Sequence, residues 1–480
     1  MATKSTPGYN KGKYTFEQQV VSLSWSTVLT FNLTGTAEEI ASQAKEMLLE
    51  VLGEPAVQKL IGVWNLVWGP GVYAGSFVGS TKSLNAMFIA VPEEDPQQAV
   101  VAIAGTNGTS LMDWIVEDFN VGHKVPWPFG FSPLNPEISA GTFYGLDKLV
   151  SMKAKDSIGN PPATARQFLA TQSFTKVMVT GHSLGGALSP CYTLYLDETR
   201  PAWNASGSAA LSCLPTAGPT PGDVGFSKYY DARLLPSTSR VWNSMDVVPH
   251  AFNARRLGEV ATLYEPNLYS STIAKLIASL QRWTMLLNYV NISPETQGFP
   301  SKFYSIDDFK PQHKALTDEI ERLSGKYEAV LETYEEEEPD SKTGFCPWGS
   351  RTGNLVDAVA FIVQALIQHT IGYLVYFGIE EFSTLMTEAS KQSVKLLSDP
   401  DESANRIKSL LTELKAPILL DLGEKSSGEI KDLLSGQGPL LSAIFDKIAE
   451  TSKGKVAEGA QSVVFLVEED EDDRSEAEFN

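Results

Sequence analysis

A chain of 480 residues, 42% of them apolar, is long enough for one large α/β domain with an appendage, or for two to three domains, around a sizeable core. Its 58 acidic and 38 basic residues leave a net charge of −20, which argues against nucleic acid as the main partner and against steering toward anionic membranes. Three cysteines, Cys191, Cys213 and Cys346, with no CxxC and no histidines at metal spacing, speak against a disulfide framework and a structural zinc site.

The N-terminus, MATKSTPGYNKGKYTF, lacks an apolar core of signal-peptide length, so the expected location is cytoplasmic, with leaderless export left open. Residues 38–66 read as two amphipathic helices broken near Gly53-Glu54-Pro55. AMFIAV (86–91) and AVVAIAG (99–105) read as strands joined by a polar turn. An aromatic, proline-rich loop covers 125–136. A strand and helix occupy 175–196, and ALSCLPTAG (210–218) and SRVWNS (239–244) are further strand candidates. Strands separated by helical stretches imply a mostly parallel sheet covered by helices on both faces.

From 270 the character changes. Residues 271–290 are helical in pattern, and HKALTDEIERLSGKYEAVLETYEEEE carries Leu316, Ile320, Leu323, Tyr327, Leu331 and Tyr334 on one face. Residues 354–379 are apolar enough to suggest a membrane span. Asp357, Gln364, Gln368 and His369 make a buried helix the better reading. The expected organisation is a body over 1–380 with a helical insert at about 265–350, a helical extension over 381–462, and an acidic disordered tail over 463–480.

Residues 176–190 read KVMVTGHSLGGALSP. A strand that ends at Thr180 and a helix that starts near Leu184 leave Gly181-His182-Ser183 to make the turn, the G-x-S-x-G pattern of a nucleophile elbow. A serine hydroxyl needs a base, usually histidine, oriented by a carboxylate. In such folds the acid and then the histidine follow the serine along the chain. Asp246, in RVWNSMDVVPH, lies just past a strand candidate and fits the acid. His123 precedes the serine, His182 adjoins it and should point away from the position a base must occupy, and His250 is too near Asp246; His313 and His369 both stay open as bases. An oxyanion hole would take the Leu184 N–H and a donor from Thr106 in AIAGTNGTS. Each such donor is worth roughly 2.7–4 kcal/mol.

Together these segments resemble the class 3 lipases of the α/β-hydrolase fold. AIAGTNGTSLMDWIVEDF is similar to the family's oxyanion strand with its Asp-Trp pair, here Asp113-Trp114, and VTGHSLGGAL to its elbow. TAGPTPGDVGFSKYY resembles F-G-x-P-x-x-G-D, with Ala217 read in place of the aromatic. RVWNSMDVVPH resembles the acid segment and QHTIGYLVYFGI the histidine segment. The resemblance implies Ser183 as nucleophile, Asp246 as acid, His369 as base, and the N–H groups of Thr106 and Leu184 as the hole. It also implies a lid helix at about 110–121, with Leu111, Trp114, Ile115 and Phe119 on one apolar face. Three features depart from the family: Ala104 replaces its arginine, Pro190 falls inside the helix after the elbow, and Asp246 and His369 stand unusually far apart.

The expected function is a serine carboxylic-ester hydrolase, lipase or esterase, that works through an acyl-enzyme and implies no metal or organic cofactor. Its partners would be an ester or lipid substrate and a transient lipid interface, with no nucleic acid and no transmembrane segment. Acyl transfer by the same triad, and a lipase-like interaction scaffold, are the alternatives. Oligomeric state is not legible in the sequence.

Overall fold

A computed structural model describes residues 12–31, 33–77, 80–105, 123–304, 351–390, 418–425 and 463–469. The chain divides into two compact units, Met1–Ser403 and Ala404–Asn480.

In the first unit, helices α1 (Phe16–Ser26) and α2 (Ala37–Gly53) both open on a capping box. Thr15 with Gln18, and Thr36 with Glu39, exchange side-chain and backbone bonds that satisfy the orphan N–H groups of the first turn. Helix α3 (Pro55–Ile61) places proline at its first position, where no N–H is needed. The two helices read over 38–66 are therefore present, but the second stops at Ile61 and strand β1 (Trp64–Phe77) follows.

Strands β2 (Ser80–Pro92) and β3 (Gln98–Ile103) come next, then helices α4 (Ala140–Ser151) and α5 (Ala165–Ala170). Strand β4 (Lys176–His182) leads into helix α6 (Leu184–Glu198), and strand β5 (Ala210–Thr216) precedes helix α7 (Val224–Leu234). The five strands form one sheet in chain order. It is mixed rather than mostly parallel: β1–β2 and β2–β3 pair antiparallel, β3–β4 and β4–β5 parallel. The connections between the first three strands are too short for a parallel crossover.

SRVWNS is not a regular strand. Residues 238–241 run parallel beside β5 through isolated bridges. Ser239 N–H donates to Cys213 O, Val241 N–H to Pro215 O, and Ala217 N–H to Val241 O. The rung that would start at Pro215 is missing because proline has no N–H to give.

Alternation along the strands sorts side chains into two cores. Met87, Ile89, Val101, Ile103, Val177 and Val179 meet Leu146, Leu188, Tyr192 and Phe226 of α4, α6 and α7. Phe88, Ala90, Val100 and Ala102 meet Leu23, Leu48 and Val57 of α1–α3 on the other face. This is the α/β-hydrolase arrangement, with helices on both sides of the sheet. Helix α6 continues through Pro190 to Glu198 without the shortening that its proline suggests.

Helix α8 (Ser271–Thr284) lies in the expected insert, while the periodic stretch over 313–338 falls outside the described residues. Helices α9 (Arg351–His369) and α10 (Ile371–Phe377) contain a stretch, Ala360–Phe377, long and apolar enough to cross a membrane by composition. It is 72% buried within the protein and broken at Thr370. Helix α11 (Glu380–Ala389), placed in the extension by sequence, belongs to the body. Its Phe382 and Met386 are fully buried beside α1–α3, and Ser383 accepts from Trp25 Nε1 at 3.2 Å.

The second unit is not helical throughout. Strands β6 (Ile418–Lys425) and β7 (Val463–Glu469) pair in parallel, so the start of the expected acidic tail is a strand. The run VVFLV is rich in β-branched valine, which favours a strand.

Candidate active site

Ser183 sits between β4 and α6 with φ 63° and ψ −124°, a conformation that a side chain adopts only under strain. Two glycines make room for it. A Cβ on Gly181 would overlap the carbonyl of Gly185, and one on Gly185 would overlap the carbonyl of Ile103. Any larger residue would push strand and helix apart at the elbow. The Ser183 N–H donates to Thr216 O at 3.1 Å, which ties the turn to the end of β5.

His369 ends helix α9, and its Nε2 lies 2.8 Å from Ser183 Oγ. Its Nδ1 lies 2.8 Å from Asp246 Oδ2. An ionised carboxylate only accepts, so Nδ1 carries the proton and Nε2 offers its lone pair to the serine hydroxyl. His369 is 5% exposed and Asp246 is fully buried. The carboxylate is nevertheless well satisfied. Val248 N–H donates to Oδ1 at 3.0 Å, and the Tyr373 hydroxyl donates to Oδ2 at 2.8 Å. Tyr373 in turn accepts from Asn243 N–H at 2.9 Å. Burial, and then the neighbouring Asp246, push the Tyr373 phenol far above its ordinary pKa, so it stays a donor.

The structure thus brings Ser183, His369 and Asp246 together across 123 positions of sequence between acid and histidine. Leu184 opens α6, and the N–H of a first helical residue has no intrahelical partner. Gly105 runs alongside: a Cβ on it would stand 3.3 Å from Ser183 Cβ and 3.9 Å from Leu184 N. Thr106 and the expected lid residues Leu111, Trp114, Ile115 and Phe119 lie outside the described residues, as does His313. His123 is exposed. His250 is buried, with its Nδ1 2.7 Å from Asp246 O.

His182 does not point away from the expected base: its ring lies 4.9 Å from that of His369. Its Nε2 lies 2.8 Å from His369 O, and its Nδ1 3.1 Å from Thr216 Oγ1. Lost solvation, and then the adjacent His369, hold its pKa well below the ordinary histidine value. The roles of Tyr373, Asn243 and His182 were not read from the sequence. Only for Tyr373 did a signal exist: it follows the histidine in QHTIGYLVYFGI, the segment that resembles the family's histidine segment. Ala217 also needs correction. Its φ of 56° is in the region that favours glycine, and Pro219, Gly222 and Asp223 then fall in step with F-G-x-P-x-x-G-D. Ala217 therefore holds the glycine position of that segment and Thr216 the aromatic one.

Residues 100–256 match the family model of lipase (class 3). No curated protein matches the chain. Among solved structures, M37 lipase is 26% identical, with a TM-score of 0.61 over 80% of this chain and 97% of its own. Lipase II from Rhizopus niveus is 18% identical, with a TM-score of 0.33 over 49% of this chain and 75% of its own. The triacylglyceride lipase of Rhizomucor miehei is 18% identical, with a TM-score of 0.32 over 50% of this chain and 76% of its own. The elbow, the acid segment and most of the strand that leads to Thr106 fall inside the stretch that is similar to the class 3 lipases.

Proposed function

We propose that the protein is a serine carboxylic-ester hydrolase of lipase or esterase type, with Ser183, His369 and Asp246 as its triad. His369 Nε2 takes the Ser183 proton as Oγ attacks the ester carbonyl. The tetrahedral oxyanion rests on the N–H groups of Leu184 and Thr106. Collapse of that intermediate breaks the ester C–O bond, and the imidazolium gives its proton to the departing alcohol. Water, deprotonated by the same nitrogen, then releases the acid from the acyl-enzyme. Asp246 holds the imidazole in the tautomer with the proton on Nδ1. We assign the lid to 110–121, whose apolar residues Leu111, Trp114, Ile115 and Phe119 suit acyl chains as the substrate class.

The observation that carries the reading is the unbroken relay of 2.8 Å contacts from Ser183 Oγ through His369 to Asp246. The test is hydrolysis of p-nitrophenyl butyrate and palmitate by wild type and Ser183→Ala. Activity that vanishes in the variant supports the reading, and the ratio of the two chain lengths separates esterase from lipase. Equal turnover in both proteins refutes it.

A further inference from the structure

The carbonyls of the last turn of a helix have no intrahelical donors and must find others. Helix α9 ends at His369. The carbonyl of His369 accepts from His182, Nε2 to O 2.8 Å, and the carbonyl of Gln368 accepts from Asn243 Nδ2 at 3.0 Å. These two donors are not scattered through the fold. His182 is the residue before Ser183, and Asn243 is held rigidly to the acid turn, since Asp246 N–H donates to Asn243 O at 3.0 Å and Met245 N–H to Asn243 Oδ1 at 3.0 Å.

We propose that His182 and Asn243 are positioning residues: they cap the C-terminus of the histidine helix from the serine side and from the acid side, and so fix where the His369 imidazole lies between Ser183 and Asp246. The proposal rests on the triad reading given above.

The geometry makes each cap parallel to one catalytic contact. The His182 bond joins the nucleophile turn to His369, as the Ser183–His369 contact does. The Asn243 bond joins the acid turn to the same helix end, as the Asp246–His369 contact does. Side chain and backbone of His369 are therefore held from both sides at once. His182 is itself held. A carbonyl only accepts, so Nε2 carries its proton, and Nδ1 is then an acceptor for the Thr216 hydroxyl. The edge-on rings of Trp25 and Tyr373, with centroids at 5.5 Å and 5.0 Å, fix its plane. Asn243 Nδ2 has a second acceptor in Gln368 Oε1 at 2.8 Å, and a Cβ on Gly372 would stand 2.7 Å from Nδ2. The next turn of chain can thus pass over Asn243 only where it carries no side chain.

The test compares His182→Leu, His182→Gln and Asn243→Ala with wild type in the full chain. The readouts are kcat and KM for p-nitrophenyl butyrate, thermal melting, and the low-field proton resonance of the His369 Nδ1–H. Loss of either cap should lower kcat by about 10- to 100-fold, the scale of an ångström-size misplacement, with KM within about twofold. The resonance should broaden or shift. His182→Gln, which returns an amide N–H close to the Nε2 position, should restore most of kcat and the resonance. Folded His182→Leu and Asn243→Ala with wild-type kcat and an unchanged resonance would overturn the proposal. Should His182→Leu melt early, Asn243→Ala and the failure or success of His182→Gln decide it. A wild type that shows no such resonance, and that turns over as well with Ala at 183, fails at the triad instead, and the two failures are told apart in that way.

Discussion

Gly181→Ala tests the elbow without touching any group of the proposed chemistry. The new Cβ would overlap the Gly185 carbonyl and stand 2.8 Å from Gly185 Cα, where an ordinary contact begins at 3.4 Å. All the obstructing atoms are backbone, so no side chain can swing aside. Strand β4 and helix α6 must separate by about 1 Å, and overpacking on that scale typically costs about 1–3 kcal/mol. The same shift carries Ser183 Oγ away from His369 Nε2, now at 2.8 Å, and an ångström of misplacement costs on the order of 100-fold in turnover. The assay is kcat/KM on p-nitrophenyl butyrate beside a urea melt. We expect a folded protein, destabilised by about 1–3 kcal/mol, with turnover down by about two orders of magnitude. A variant within threefold of wild type in kcat, at an unchanged urea midpoint, would mean that the Gly181–Gly185 approach does not shape the site.

Ser183→Gly should be inactive yet more stable than Ser183→Ala by about 1 kcal/mol in urea. Glycine relieves most of the roughly 1–3 kcal/mol stored at φ 63°, less its own entropic penalty of about 0.5–1 kcal/mol; equal melts would deny the strain. Acid should weaken the fold below pH 6.5. Burial holds the pKa of His250 below the usual 6.5, and lost solvation does the same at His182, so as pH falls through about 6.5 the unfolded chain takes up protons that the native one refuses. Each such histidine costs about 1.4 kcal/mol per pH unit until its own folded pKa is reached. Asp231, raised by burial, binds its proton first in the native state and opposes this trend at the acid end. Urea midpoints at pH 7.5, 6.5 and 5.5 measure the slope, and His250→Gln should reduce it; a flat profile refutes the assignment. Arg240→Met should not destabilise the protein. Burial, and then Arg256, lower the Arg240 guanidinium to about 10, a penalty on the order of 3 kcal/mol, which its stacking on Trp242 at 5.4 Å offsets by about 1–2 kcal/mol. A melt lowered by several degrees would show that the charge is better partnered than its packing implies.

What the sequence revealed was local. The elbow could be read because its constraint, glycine two places either side of a serine, is written in five adjacent letters. Strands β2 to β5 could be read because each carries a short apolar run bounded by polar or turn-forming residues. Helix α1 could not. Its buried positions include Ser22, Ser24 and Ser26, which read as polar. Ser22 and Ser26 hide their hydroxyls by donating to carbonyls one turn back, at 2.8 Å and 2.9 Å, so the apolar period is masked. The start of β1 was hidden for another reason. Gly69-Pro70-Gly71 reads as a turn, yet it lies inside the strand at a register shift opposite Met87 and Ile89. The roles of His182 and Asn243 depend on contacts 187 and 125 positions away, and no local pattern encodes them.

The long interval between acid and histidine looks like the weakest point of the site, and the structure gives a physical reason why it is not. The chain that leaves Asp246 comes back before the second half of the interval begins. Phe299 pairs with the acid segment, its N–H donating to Trp242 O at 2.8 Å and its carbonyl accepting from Ser244 N–H at 3.0 Å. Immediately afterwards Ser301 Oγ donates to Gln368 Oε1 at 3.0 Å, and Gln368 Nε2 donates to Lys302 O at 2.7 Å. One turn earlier on α9, Gln364, with its amide turned to suit both neighbours, pairs with the N–H and carbonyl of Tyr304 at 3.1 Å. Residues 299–304 therefore form a short extended segment hydrogen-bonded to the acid turn at one end and to the histidine helix at the other. The helix end is indexed to the acid turn through this segment and not through the full length of chain that separates them. A single substitution that breaks the Gln368 clamp therefore acts on the residue adjacent to His369.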